Sequence, residues 1–279
     1  MLRGIVTIKC PACGTVFQGP DIEWQASALS ASVHCPHCGH SCNPGTDRAG
    51  IIDSIIGKVR FIREVMATKK ANDNSAVFFQ PWVGCNYNSG GIFGKRIMVL
   101  GESHYCGEGC KDCGNTTHSE CRHFTAEVIR SYLDPNAERE GWMSTYLKFE
   151  RSLVNHETSS EESVRIWNSL LFYNYLQVAM QGPRQAGTQE QYKSAAEPFF
   201  SVMNQYRPEL LIVWGVRLWH NLPSARWEEG PSMVIDGIEV SNGYYKLGNG
   251  RKVRAICVYH PSSGYSWDYW YKVLSELSK

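Results

Sequence analysis

Residues 97–105 read Ile97-Met98-Val99-Leu100-Gly101-Glu102-Ser103-His104-Tyr105: four consecutive apolar side chains, a glycine, then an acid, a hydroxyl, an imidazole and a phenol. The apolar run is too short for a helix and carries no polar alternation, which suits a strand buried on both faces. Leu210-Leu211-Ile212-Val213-Trp214 repeats the pattern and ends in Gly215, and Val253 to Tyr259 runs into His260-Pro261. Leu170 to Tyr175 is a fourth apolar-aromatic run, readable as strand or helix. Helical periodicity over Thr125–Leu133, Ala195–Tyr206, Val216–Leu222 and Trp267–Leu277 separates these runs. Strands alternating with helices predict an α/β sheet covered by helices. Ligands of such sheets bind beyond the carboxyl ends of the strands, so the residues after Leu100, Tyr173 and Tyr259 are the first candidates for a site.

Composition bounds the rest. The chain has 279 residues, 43% of them hydrophobic, and 28 Lys+Arg against 27 Asp+Glu. At roughly 150 residues per domain this predicts about two domains, and the ordinary composition excludes disorder, collagen-like repeats and coiled coil. No apolar run approaches the ~20 residues of a membrane helix. Two cysteines and two prolines occupy residues 1–20, where a signal peptide would place its apolar stretch, so the expected location is the cytoplasm. The protein is expected to be monomeric. With a net charge of +1, any DNA contact must come from a local patch.

Eleven cysteines in a reducing compartment read as metal ligands before disulfides. Cys10-Pro11-Ala12-Cys13-Gly14 and Cys35-Pro36-His37-Cys38-Gly39 are two Cys-x-x-Cys knuckles, the spacing of a four-thiolate Zn²⁺ ribbon. Such a ribbon acts either as a folding staple or as a nucleic-acid or protein contact; Cys42 is read as a bystander. Residues 1–48 are therefore expected to be the ribbon and 95–279 the α/β domain. Between them, Ile51, Ile52, Ile55, Ile56, Val59, Ile62 and Val65 predict one apolar face of a helix in a linking and docking segment, 49–94.

Glu102, Ser103, His104 and Tyr105 at one strand tip, and His260 in a rigid His260-Pro261-Ser262-Ser263 turn at another, resemble the two signature motifs of the uracil-DNA glycosylase superfamily. Gly101 and Glu102 match the Gly-Glu branch of its first motif, Tyr105 matches the tyrosine of another branch, and His260-Pro261-Ser262 matches the second motif in full. Leu171-Phe172-Tyr173-Asn174 is similar to the family strand whose Asn reads the base, and Arg207-Pro208-Glu209 before Leu210–Gly215 to its third strand. His104 stands where the family has proline, and Ser103 where one branch has its catalytic Asp. The resemblance covers about residues 95–275. It implies a three-layer αβα fold with a short, mainly parallel central sheet.

It also implies a DNA glycosylase that flips out and hydrolytically excises uracil or another modified base, in repair or in defence against phage with modified DNA. In that reading His260 donates to the departing base and Glu102 stabilises the sugar cation or orients water. Ser103 and His104 help hold the water. Asn174 reads the base edge, Phe124 stacks on the flipped ring, and Tyr105 walls the pocket. Ser262, Ser263 and Tyr265 form the DNA-contacting turn, with Tyr265 as the bulky wedge. Lys95, Arg96, Arg184, Arg251, Lys252 and Arg254 are candidate DNA-contacting cations.

Cys106, Cys110, Cys113 and Cys121, with His118 and His123 nearby, form a second cysteine cluster suited to a second Zn²⁺ or a 4Fe-4S cluster. Two other functions fit the residues: a hydrolase with Ser103 as nucleophile, and a non-catalytic, zinc-containing DNA-binding protein.

Overall fold

The computed structural model describes residues 5–21, 32–43, 47–52, 77–106 and 119–277. The chain divides into two compact units, Met1–Asn74 with Gly84–Asn86, and Ser75–Val83 with Tyr87–Lys279.

In the first unit, strands β1 (Ile5–Lys9), β2 (Val16–Asp21) and β5 (Arg48–Ile52) make a three-stranded antiparallel sheet in the order β2-β1-β5. β3 (Val33–His34) and β4 (Ser41–Cys42) form a hairpin under the second knuckle. Ile51 and Ile52, expected to begin a helix, instead pair with Val6 and Ile5. β-Branched residues such as isoleucine and valine favour strands over helices. The rest of the expected helical face, Ile55 to Val65, lies outside the described residues. The boundary expected at residue 48 therefore falls inside a strand, and residues 77–94 belong to the second unit except for 84–86.

The second unit is built on a seven-stranded mixed sheet. Four parallel strands form its centre: β7 (Ile97–Gly101), β8 (Leu170–Asn174), β9 (Leu210–Trp214) and β14 (Lys252–Val258), side by side as β8-β7-β9-β14. Every residue of the first three strands is buried, which explains their unbroken apolar runs and resolves 170–174 as strand. Antiparallel strands extend the edges. β6 (Trp82–Val83) flanks β8; β13 (Asn242–Lys246) and β10 (Trp227–Glu229) continue beyond β14. A small hairpin, β11 (Val234–Ile235) and β12 (Ile238–Glu239), stands apart from the sheet. The sheet is wider and more mixed than expected because these edge strands are short and partly polar, with no apolar run to mark them.

Alternate strand residues feed two cores. Ile97, Val99, Phe172, Ile212 and Val258 pack with helices α1 (Phe124–Leu133), α2 (Met143–Val154), α3 (Ser160–Trp167) and α7 (Trp267–Glu276). Met98, Leu100, Tyr173, Val213 and Ala255 pack with α4 (Gln189–Ser194), α5 (Ala196–Tyr206) and α6 (Val216–Asn221). Helices on both faces make three layers. No helix among the described residues is long and apolar enough to cross a membrane.

One buried acid anchors the first core. Glu150, fully buried on α2, accepts from Ser163 Oγ at 2.6 Å, from Trp167 Nε1 at 2.9 Å and from the Thr158 hydroxyl. These donors tie α2 to α3 and the segment between them. Truncation would leave the buried Trp167 Nε1–H and the half-buried Thr158 hydroxyl without their acceptor beside a new cavity, and Ser163 Oγ with Ser159 O alone. Glu150→Ala is therefore expected to destabilise the unit by roughly 3 kcal/mol or more. Urea denaturation followed by tryptophan fluorescence checks this, and a loss below ~1 kcal/mol would refute the anchoring role.

Candidate functional site

The carboxyl ends of all four parallel strands open into one cleft of about 1130 Å³. The chain leaves β7 for β8 on one side and later returns to β9 on the other, so β7 and β9 straddle a topological switch point, where α/β sheets bind ligands. Register brings the tips level: Gly101 pairs with Asn174, Leu100 with Val213, and Val258 with Trp214. Glu102, Ser103, His104, Tyr105, Phe124, Asn174, His260, Ser262 and Ser263, all expected in the site, line this cleft.

Beyond β7 the backbone stays pinned to the segment beyond β8. Tyr175 N–H donates to Gly101 O and Leu176 N–H to Glu102 O, both at 2.9 Å, and Met180 N–H donates to His104 O at 2.7 Å. Gly101 is required by crowding, since a Cβ there would lie 2.2 Å from Asn174 Oδ1. Gly215, between β9 and α6, has φ of 100°, a conformation that favours glycine.

His104 differs from its expected role. It is 5% exposed, stacked on Phe124 with centroids 4.6 Å apart and edge-on to Phe79. Its Nε2 lies 2.9 Å from Thr125 Oγ1, and its ring nitrogens lie 3.1 Å from Asn174 Nδ2. Burial pushes its pKa down to about 3, so the ring is neutral. His104 orients the Asn174 amide; it is not placed to hold an attacking water. Phe124 likewise gives one face to His104.

His260 is half-buried, and desolvation depresses its pKa, with Arg217 adding to the effect and Glu102 opposing it. Ser262 N–H donates to His260 Nδ1 at 3.2 Å, and Ser262 Oγ lies 2.8 Å from the same nitrogen. A backbone N–H can only donate, which makes Nδ1 the acceptor and assigns the imidazole proton to Nε2. The ring thus offers one N–H donor at physiological pH. Ser103 is half-buried in the cleft wall, and the hydroxyl bonded to His260 is that of Ser262. The geometry a serine hydrolase needs, Ser103 on His260, is not among the hydrogen bonds of the described residues.

Glu102 is gripped from two sides. Arg217 Nε donates to both of its oxygens, at 2.8 and 3.0 Å, a second guanidinium nitrogen donates to Oε2, and the Tyr192 hydroxyl donates to Oε1. Neither Arg217 nor Tyr192 was expected from the sequence. Arg217 follows the β9 tip by three residues, so the rule that pointed to the other three tips also points here.

Other expectations are corrected. Tyr265 does not project from the His260 turn: it is buried, stacked on Trp270 at 5.9 Å, with its hydroxyl 2.7 Å from Ser152 Oγ. Its large ring packs in the first core. Lys95, Arg96, Arg251, Lys252 and Arg254 sit at or near the amino ends of β7 and β14, about a strand length (~16 Å) from the cleft. There they bind Leu277 O, Glu209, Glu228 and the Tyr244–Asn242 pair. Of the six candidate cations, Arg184 alone lines the cleft.

The ribbon knuckles fold alike. Gly14 N–H donates to Cys10 O and Gly39 N–H to Cys35 O, both at 2.8 Å, with both glycines at positive φ. The sulfurs of Cys10, Cys13, Cys35 and Cys38 all lie within 4.8 Å of one another. Cys10–Cys38 and Cys13–Cys35 are each 3.6 Å apart, close to the ~3.8 Å edge of a tetrahedron with 2.3 Å metal–sulfur bonds. Contact with Cys38, then burial, pushes the Cys13 thiol up to about 12, and burial pushes Cys35 to about 11. Four crowded sulfurs ionise together only around a cation, so this donor set fits a metal ion. Cys42, read as a bystander, is outside the quartet but buried beside it. For the second cluster, Cys110, Cys113 and His118 lie outside the described residues.

Compared with known protein families and with curated proteins, the chain matches none.

Two outcomes test this geometry. Neutral His104 contributes stability that is complete above its ordinary pKa of 6.5 and lost as pH falls from there toward 3. The slope approaches ~1.4 kcal/mol per pH unit, or about 2 kcal/mol by pH 5. Denaturation curves between pH 7 and 4.5 should show this loss in the wild type and a smaller one in His104→Leu; equal slopes would refute it. Cys38→Ala is expected to lower the metal content of the purified protein by one equivalent per chain in elemental analysis. An unchanged content would overturn the quartet as a metal site.

Proposed function

We propose that this chain is a DNA glycosylase, similar to the uracil-DNA glycosylase superfamily, carrying a zinc ribbon at its amino-terminal side. One observation carries the reading: Glu102, Asn174 and His260, on three separate strand tips, line a single cleft at the switch point of a parallel sheet. Along the chain the parallel strands run β7, β8, β9, β14, with Glu102 after the first, Asn174 ending the second and His260 after the last, the motif order of that superfamily.

A flipped nucleotide enters the cleft with its base toward Asn174, whose amide is oriented by His104 and offers both a donor and an acceptor. As the C1′–N bond breaks, its electron pair moves onto the base and positive charge develops on the sugar. Nε2–H of neutral His260 donates to the base oxygen where negative charge collects, an interaction stronger in the transition state than in the ground state. Glu102 supplies negative charge near the developing sugar cation. Water adds its hydroxyl to C1′ and its proton to the departing base. The product is an abasic site.

On the DNA side, Arg184, Ser262 and Ser263 at the cleft mouth suit the phosphates flanking the flipped nucleotide. The ribbon's four thiolates suit Zn²⁺, and its role is either to staple the amino-terminal unit or to contact nucleic acid. Excision of uracil would serve repair; excision of a hypermodified base would serve defence against phage, and both belong in a cytoplasmic, monomeric enzyme.

Incubation with uracil-containing duplex, plain duplex and phage-derived modified DNA, followed by abasic-site assay, tests the reading. Base release is expected from at least one modified DNA, and His260→Ala and Glu102→Ala should each lower it by ~10² or more. No release from any DNA, or full activity in either variant, would overturn it.

A further inference from the structure

Arg217 is not part of the sequence resemblance, yet it joins two groups the proposed reaction uses. After the positive-φ turn at Gly215, its side chain reaches back across the β9 tip to Glu102. The Arg217 side chain is 45% exposed and that of Glu102 12%, so one partner is open to the cleft and the other is largely covered. Arg217 is itself fixed: its Nη1 donates to Arg184 O at 3.3 Å, and its carbonyl accepts from Asn221 Nδ2 at 2.8 Å. Counting the Tyr192 hydroxyl, Glu102 receives four donor contacts on two oxygens. That nearly fills the ~4 lone-pair positions of a carboxylate. A group so occupied takes no proton from water without breaking its clamp. The guanidinium stays charged at every relevant pH.

We infer that Arg217 is a positioning residue of this site: clamped on Glu102, it fixes the direction of that carboxylate, withholds it from proton transfer, and sets a permanent positive charge on the His260 side of the cleft. The catalytic consequence rests on the glycosylase reading; the clamp itself does not. Two charged groups face His260, Glu102 from beyond β7 and Arg217 from α6. Ser262 occupies Nδ1, and the Trp214 ring stands edge-on at 6.0 Å. The two charges act in opposite directions on the imidazole, and Arg217 acts with burial to keep it neutral. In that state His260 donates its Nε2 proton without becoming a cation, and the guanidinium favours the negative charge appearing on the departing base.

Two variants and two readouts test this. Arg217→Gln removes the charge and the fork, whereas Arg217→Lys keeps the charge and loses the fork. In the free protein, an NMR titration of His260 should show its pKa raised in Arg217→Gln, little changed in Arg217→Lys and lowered in Glu102→Gln. On the DNA that the wild type processes, Arg217→Gln should slow single-turnover base release about tenfold or more while changing the DNA Kd less than about threefold. Arg217→Lys should fall between. An unchanged His260 titration in Arg217→Gln overturns the inference. So does a loss confined to Kd, which would make Arg217 a phosphate contact. If the wild type releases no base from any DNA, the glycosylase reading fails, and the His260 titration alone still decides whether the clamp exists.

Discussion

Parallel pairing of β7 with both β8 and β9, and of β9 with β14, is the constraint on which the site depends. Parallel strands place all their carboxyl ends on one edge, and the observed register levels those ends to within a residue. Glu102, Asn174, Arg217 and His260 are far apart in the chain yet share that edge. A one-residue slip in any pair would turn alternate side chains to the opposite core. The same buried apolar residues that hold the sheet together therefore hold the polar constellation in place.

That constellation is expensive to form. One imidazole and an amide are buried and a carboxylate and a second imidazole are half-buried around one cleft, and each needs a compensating partner. The compensation is local. Arg217 and Tyr192 complete Glu102, Thr125 and Asn174 complete His104, and Ser262 completes Nδ1 of His260. Each partner also removes a degree of freedom, so satisfying these polar groups and orienting them in the cleft are one act. The groups that keep unspent capacity, His260 Nε2–H and the outer face of the Arg217 guanidinium, lie on the cleft side.

Electrostatics divides the second unit into two ends. Cations at the amino ends of β7 and β14 are engaged with Glu209, Glu228 and neighbouring side chains, tying these strands to the start of β9 and to β10 and β13. At the cleft end Arg217 is engaged with Glu102. With a net charge of +1, the proposed contact with a polyanion at the cleft would rely on a few directed contacts from Arg184 and the serine turn.

The apolar runs at 97–100 and 210–214, the periodic helices between them and the paired knuckles were legible without coordinates. Each is a local pattern whose period or spacing has one physical use. The strand tips were legible for the same reason: a run that ends in glycine or His-Pro announces where it stops. What stayed hidden depends on residues distant in sequence. Nothing local in Arg217 or Tyr192 says that both meet Glu102. Nothing in a tyrosine next to the His260 turn says that its ring packs on Trp270, and nothing in the Ile51–Ile52 pair says that Ile5 and Val6 draw it into a sheet. Sequence alone determined where strands end and which chemical groups stand there. Tertiary structure decided which of those groups meet, which are buried and which face the cleft, because partners, desolvation and direction exist only once strands distant in the chain lie side by side.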